Sequence, residues 1–182
     1  MTNITDTPQR FGTVSMALHW ALALLMIGVF VLGQIMEELP RGPEKVEMIF
    51  WHASFGLLIL GLALGRLVWR WTQTTPLPPA DETALQKLAH RIVVITLYLI
   101  PIALGLTGMA AVASTGNDIS FFGLFSIPGM EAFSKTVHEA AEETHEVFVK
   151  ILVITVIAHT AAAIWHHLIR HDTTLSRMLP GS

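Results

Sequence analysis

The chain contains no cysteine, which excludes disulfides, thiolate metal ligands, iron–sulfur clusters and covalent haem attachment through a Cys-x-x-Cys-His motif. Charge is scarce as well. Only 14% of the 182 residues are charged against 52% apolar, and the mean hydropathy is +0.56, which is too apolar for an ordinary soluble domain of this size. The formal net charge of −3 gives no overall basic field to hold phosphates, so no nucleic-acid partner is expected. Internal repeats, low-complexity tracts and nucleotide-binding glycine patterns are missing too. The glycines lie inside apolar stretches, where small residues serve close helix packing.

What the sequence does have is long apolar runs. Val14 to Met36 holds no Lys, Arg, Asp or Glu over 23 residues, enough for the roughly 30 Å of a hydrocarbon layer at about 1.5 Å per residue. A cleaved signal peptide competes with this reading, but Arg10 is a single positive flank, and His19-Trp20 at the mouth of so long a run fits a retained span better. Further runs cover about 50–68, 92–113 and 147–169. Gly61 and Gly65 in the second and Gly105 and Gly108 in the third offer small faces to neighbours, Pro101 is a kink site, and Lys150 can snorkel to the interface. Residues 37–47 read as a short charged link, 74–79 as a proline-rich turn, and 130–146 as a polar helical lead into the fourth span. The expected fold is all-α: a single domain over 1–182 built as an integral membrane four-helix bundle.

Four spans return the chain to its starting side. One side then carries Arg10, Arg66, Arg70, Lys87, Arg91, Arg170 and Arg177, the other only Arg41, Lys45, Lys135 and Lys150, so both termini are expected on the cytoplasmic side. The outer side collects Glu37, Glu38, Glu44, Glu47, Asp118, Glu131, Glu139, Glu142, Glu143 and Glu146 and is net negative. Trp20, Trp51, Trp69, Trp71 and Trp165 fall near span ends, as amphipathic rings do at headgroup level.

The nine histidines pose the functional question, because imidazole is costly in lipid without a partner. His19 and His159 fall at similar depths near the cytoplasmic side, and His52 and His145 at similar depths near the outer side. On the fourth helix His145 and His159 are 14 residues apart, about 21 Å of rise and within about 40° of the same face. A flat haem between two helices needs one imidazole from each, so the pairs His19 with His159 and His52 with His145 would hold two stacked cofactors, both iron and porphyrin. Ala23, Gly56 and Ala163, each four residues beyond one of these histidines, leave room for a macrocycle; Val149, after His145, does not. Zinc is the competing metal, but its tetrahedral sites want three or four close ligands and only two histidines share each level. Each histidine alone also reads as a satisfied polar residue, which leaves open a small transporter or scaffold using them for packing or proton relay. His90, His166, His167 and His171 gather with Arg66, Arg70, Arg91 and Arg170 at the cytoplasmic end, where they could anchor propionates, shape a quinone pocket or simply hold anionic lipid.

The run Ser15-Met16-Ala17-Leu18-His19-Trp20, His52 followed by Gly56, His90 with Pro101 downstream, the His145/His159 spacing, Ala161-Ala162-Ala163 before His166-His167, and the tail from Asp172 to Pro180 resemble the bacterial cytochrome b561 family over nearly the whole chain. The resemblance implies two non-covalent haems b, the inner on His19 and His159 and the outer on His52 and His145. It also implies electron transfer with ubiquinone, with superoxide oxidised on the periplasmic side. Bis-histidine ligation leaves no open iron position, so no catalytic side chain is expected and transfer should be outer-sphere. The alternative is a cytochrome b subunit relaying electrons between the quinone pool and a hydrogenase-like, dehydrogenase-like or reductase partner, for which the negative outer face suits a basic redox protein.

Overall fold

The computed structural model describes residues 3–77, 83–130 and 134–179. Pro79, Glu131 and Pro180, which figure in the turn, the acidic outer face and the tail read from the sequence, lie outside the described residues. Four helices dominate: α1 Thr13–Glu38, α2 Pro43–Trp71, α3 Ala84–Ala113 and α4 Lys135–Leu168. Each is long and apolar enough to cross a membrane, so the protein is a four-span helical membrane protein.

Each helix contains the greater part of one apolar run and extends past it. The link between α1 and α2 is shorter than the 37–47 stretch suggests, because Pro43 occupies the first turn of α2 with Glu44 beside it. Proline lacks the N–H that would be unpaired there, and a carboxylate is favoured at the positive end of the helix dipole. Thr83 starts α3 through a capping box: its hydroxyl accepts from the Gln86 N–H while the Gln86 side chain accepts from the Thr83 N–H. From Lys135 on, the polar lead joins the fourth run as one uninterrupted helix of 34 residues.

Packing is sequential: α1 lies on α2, α2 on α3 and α3 on α4, whereas α1 and α4 have no comparable backbone contact. Leu22, Ile59 and Ala63 form the buried core with Leu25, Met26, Val29, Leu62 and Ile102 around them. Ile154 and Ile157 on α4 are 69% and 64% exposed, as lipid-facing side chains should be. The α2–α3 contact is close: a Cβ on Gly105 would meet the Leu60 Cβ at 2.8 Å, the use for small residues that the sequence pattern implies.

One element was not foreseen. Between α3 and α4 the chain forms a two-stranded antiparallel hairpin, β1 Ile119–Phe121 and β2 Phe125–Ile127, packed against α2.

Candidate functional site

Two pairs of imidazoles meet across the bundle. His19 of α1 faces His159 of α4 with ring centroids 6.2 Å apart and planes at 69°. His52 of α2 faces His145 of α4 at 6.3 Å and 67°. All four histidines singled out in the sequence are thus brought together, in the pairs that depth matching gives. No cluster of three or more potential metal ligands occurs among the described residues.

The supports of the four rings differ. His145 Nδ1 lies 3.1 Å from both the Leu104 carbonyl oxygen and the Thr107 Oγ1. The Thr107 hydroxyl donates to the Ala103 carbonyl at 2.9 Å, so it can accept from His145. Both contacts place the proton on Nδ1 and leave Nε2 free. Among the described residues, Nδ1 of His19 and of His52 is instead buried with no hydrogen-bond partner, although the Val29 backbone lies close to the His52 ring. A buried imidazole nitrogen without a partner is the opposite of the satisfied polar residue that each histidine could have been.

Glycines form the walls of the outer pair. A Cβ on Gly33 of α1 would come within 3.2 Å of the His52 ring, and one on Gly108 of α3 within 3.3 Å of the His145 ring. Sequence reasoning noted Gly108 only as a packing face and passed over Gly33, Thr107 and Leu104. The sole signal was their depth, level with the histidines they touch.

At the other end Arg66 of α2 is in electrostatic reach of both His19 and His159, and His90 of α3 of His159. The Arg66 guanidinium sits over the Tyr98 ring, 5.2 Å from its centre. Other members of the basic cluster have partners of their own: Arg70 bonds Thr75, Arg170 stacks on Trp165 at 5.5 Å, and Arg170 and His166 both meet Asp172.

A polar cap covers this end. The Trp69 indole N–H donates to Ser15 at 2.9 Å and the Trp20 indole N–H to the Met178 carbonyl at 2.9 Å. Arg10 donates to the Leu179 carbonyl, Arg177 to that of Leu77, and the Leu77 N–H to Pro8. Buried Asp6 accepts from the Gly12 N–H at 2.7 Å, and a Cβ on Gly12 would strike the Ile4 carbonyl oxygen at 2.4 Å, so only glycine fits. The N-terminal segment, the start of the α2–α3 link and the C-terminal tail are thereby stitched together on one side of the bundle.

Asp172 anchors the tail. Burial works against its charge, but hydrogen bonds from His166 and from the Thr174 side chain and N–H outweigh it and lower its pKa from 3.8 to about 2. A depressed carboxylate stabilises the fold above its unfolded value, and that contribution disappears as pH falls through the folded value. Amide exchange in residues 170–179, corrected for its intrinsic pH dependence, should therefore rise between pH 3.8 and about 2, and Asp172→Asn should abolish that step.

The sequence profile described as "Prokaryotic cytochrome b561" matches residues 10–181. Among curated proteins, "Cytochrome b561 homolog 2" of Escherichia coli (strain K12) is 33% identical over 97% of this chain and 95% of its own length. "Cytochrome b561 homolog 1" of the same organism is 28% identical over 94% and 97%. "Probable superoxide oxidase CybB" of Yersinia pestis is 27% identical over 94% and 97%. The chain therefore belongs to the prokaryotic cytochrome b561 family, membrane electron-transfer proteins, and that membership implies b-type haem.

Proposed function

We propose that the chain works as one membrane domain holding two haems b, one between His19 and His159 and one between His52 and His145, and passes electrons from superoxide on the periplasmic side to ubiquinone. The spacing of the imidazoles carries this reading. Two imidazoles that each lent one nitrogen to a single metal ion, at the roughly 2.0–2.1 Å usual for nitrogen ligands, would stand about 6 Å apart centre to centre. The pairs stand at 6.2 and 6.3 Å. A direct hydrogen bond between the rings would draw them closer, and a tetrahedral zinc site would need further ligands.

Haem held by His19 with His159 and by His52 with His145 would supply one-electron transfer. The protein's part is to fix the axial rings, exclude water and set their basicity. Leu104 and Thr107 do this for His145, since a ligand that donates its other N–H is oriented and made more electron-rich. Because α1 and α4 do not pack closely backbone to backbone, a porphyrin held by His19 and His159 would find room between them. The charge bias of the sequence orients the polar cap toward the cytoplasm and the His52/His145 pair toward the periplasm. Two superoxide ions each give up one electron and leave as oxygen. Ubiquinone takes both, with two protons, to become ubiquinol, in a pocket we assign to the Arg66, Tyr98 and His90 end.

One observation favours a second reading of the donor. Of the four outer-side cations, Lys135 and Lys150 are paired with Glu139 at 3.4 Å and Glu146 at 3.7 Å. An outer face left negative suits a basic redox protein better than superoxide. The test is turnover. Purified protein in detergent with a ubiquinone analogue should reduce the quinone on superoxide addition far faster than free haem at equal concentration. No acceleration, with full reduction by a basic electron-transfer protein, would move the donor assignment to the protein partner.

A further inference from the structure

The loop between α3 and α4 carries no charged residue from Ile119 to Met130, an uncharged stretch too short to span and of the length typical of re-entrant or interfacial segments. Its neck is polar: Asp118 Oδ1 accepts from the Gly129 N–H at 3.0 Å. Its tip is not. Leu124 is 78% exposed and Phe125 56% exposed, at a turn formed with positive φ at Phe122 and Gly123. In water this would be a poor surface for a hairpin tip.

The hairpin lies low on α2. Trp51 and Trp69 stand 18 residues apart, about 27 Å of helix, so they mark the two interfaces of the hydrocarbon layer. Ser54, one turn inside Trp51, is fully buried under the hairpin; its hydroxyl donates to the Ser120 carbonyl at 3.0 Å and accepts from the Phe122 N–H at 3.1 Å. Phe122 packs edge-on against Phe55 at 5.0 Å. Phe121, Phe125 and Ile127 then border an apolar groove with Leu57, Gly61 and Leu62, residues about 9 to 16 Å inward from Trp51 along the helix.

We propose that the Ile119–Ile127 hairpin is a re-entrant element inserted into the leaflet on the His52 side, with Leu124 and Phe125 against lipid acyl chains. Phe122 at the turn meets Trp51 itself at 6.2 Å, while Phe121, Phe125 and Ile127 lie against α2 residues deeper than that indole, and this commits the exposed tip to lipid rather than to a soluble partner. Ser54 explains how irregular backbone is tolerated there. It pairs a carbonyl and an N–H on the α2-facing edge of β1 that would otherwise be unsatisfied in hydrocarbon. The three-residue strands keep the unpaired edge of β2 short for the same reason.

The absence of native cysteine permits a direct test. Leu124→Cys and Phe125→Cys, each spin-labelled in vesicles of phosphatidylethanolamine and phosphatidylglycerol, are compared with Ile154→Cys on the lipid face of α4 and Lys135→Cys at its polar start. Power saturation should give both tip labels several-fold greater accessibility to oxygen than to a water-soluble nickel chelate, as at Ile154 and opposite to Lys135. A tip that behaves like Lys135, or that is shielded from both reagents as a second copy of the chain would shield it, overturns the proposal.

Discussion

Replacing His145 with alanine is expected to leave one haem b per chain instead of two, and replacing His159 to leave one as well, but the other one. The two variants sit on the same helix, 14 residues apart, yet each removes the partner of a different imidazole, His52 in one case and His19 in the other. Each variant would leave its non-covalent haem with a single histidine, too little to hold the porphyrin against detergent. Pyridine haemochrome analysis against protein mass reads the stoichiometry, and a redox titration identifies the survivor: each single variant should show one wave, at different potentials. His166→Ala, at the same end as His159 but bonded to Asp172, should keep both. Glycine at 145 with imidazole added to the medium should restore the missing wave, which separates loss of a ligand from loss of fold. One wave of the same potential in both variants would dissolve the pairing.

That experiment also tests how far residue order alone could go. The four runs were legible because hydrocarbon thickness sets a length and forbids unpaired charge, two constraints that act on sequence directly. The pairing of His19 with His159 and of His52 with His145 followed from depth, since rise per residue is nearly fixed along a helix. Rotation about the helix axis carries no such constraint. Gly33 and Gly108 touch the outer histidines only because α1 and α3 present those faces inward, and Thr107 reaches His145 for the same reason. The hairpin was illegible on different grounds. Its strands are three residues long, below any periodicity signal, and its turn places Phe122, a bulky residue, at φ 50°, where a reader of sequence would look for glycine or asparagine. The resemblance to cytochromes b561 rests on residues spread over nearly the whole chain and is matched by the family profile; the donor, which depends on a few side chains at the outer surface, is the finer question.

Enlarging the glycines behind the outer pair should empty that site while sparing the inner one. At Gly108 a methyl would stand 3.3 Å from the His145 Cε1 and 3.5 Å from its Nδ1; at Gly33 the corresponding distances to His52 are 3.2 and 3.5 Å. Alanine asks the ring to yield a few tenths of an ångström, so Gly108→Ala should retain both haems and shift only the outer potential. Leucine has no such option. His145 is held from behind by Leu104 and Thr107 and cannot retreat, so Gly108→Leu must turn the imidazole off the line to His52, and Gly33→Leu must do the same to His52. Outer haem occupancy should fall below about half, since displacing a fixed ligand by an ångström costs most of an interaction that depends on alignment. Two other glycines show whether bulk or place matters. Among the described residues, a Cβ on Gly28 or on Gly56 meets nothing within 4 Å beyond its own turn of helix, but Gly28 is exposed on α1 whereas Gly56 lies one turn beyond His52 on α2. Gly28→Leu should leave both haems in place. At Gly56 the first carbon of a side chain meets open space, so loss of the outer haem in Gly56→Leu, with helicity and the inner haem intact, would point to a side chain competing with the porphyrin itself; unchanged occupancy would mean that the macrocycle does not lie against this turn of α2.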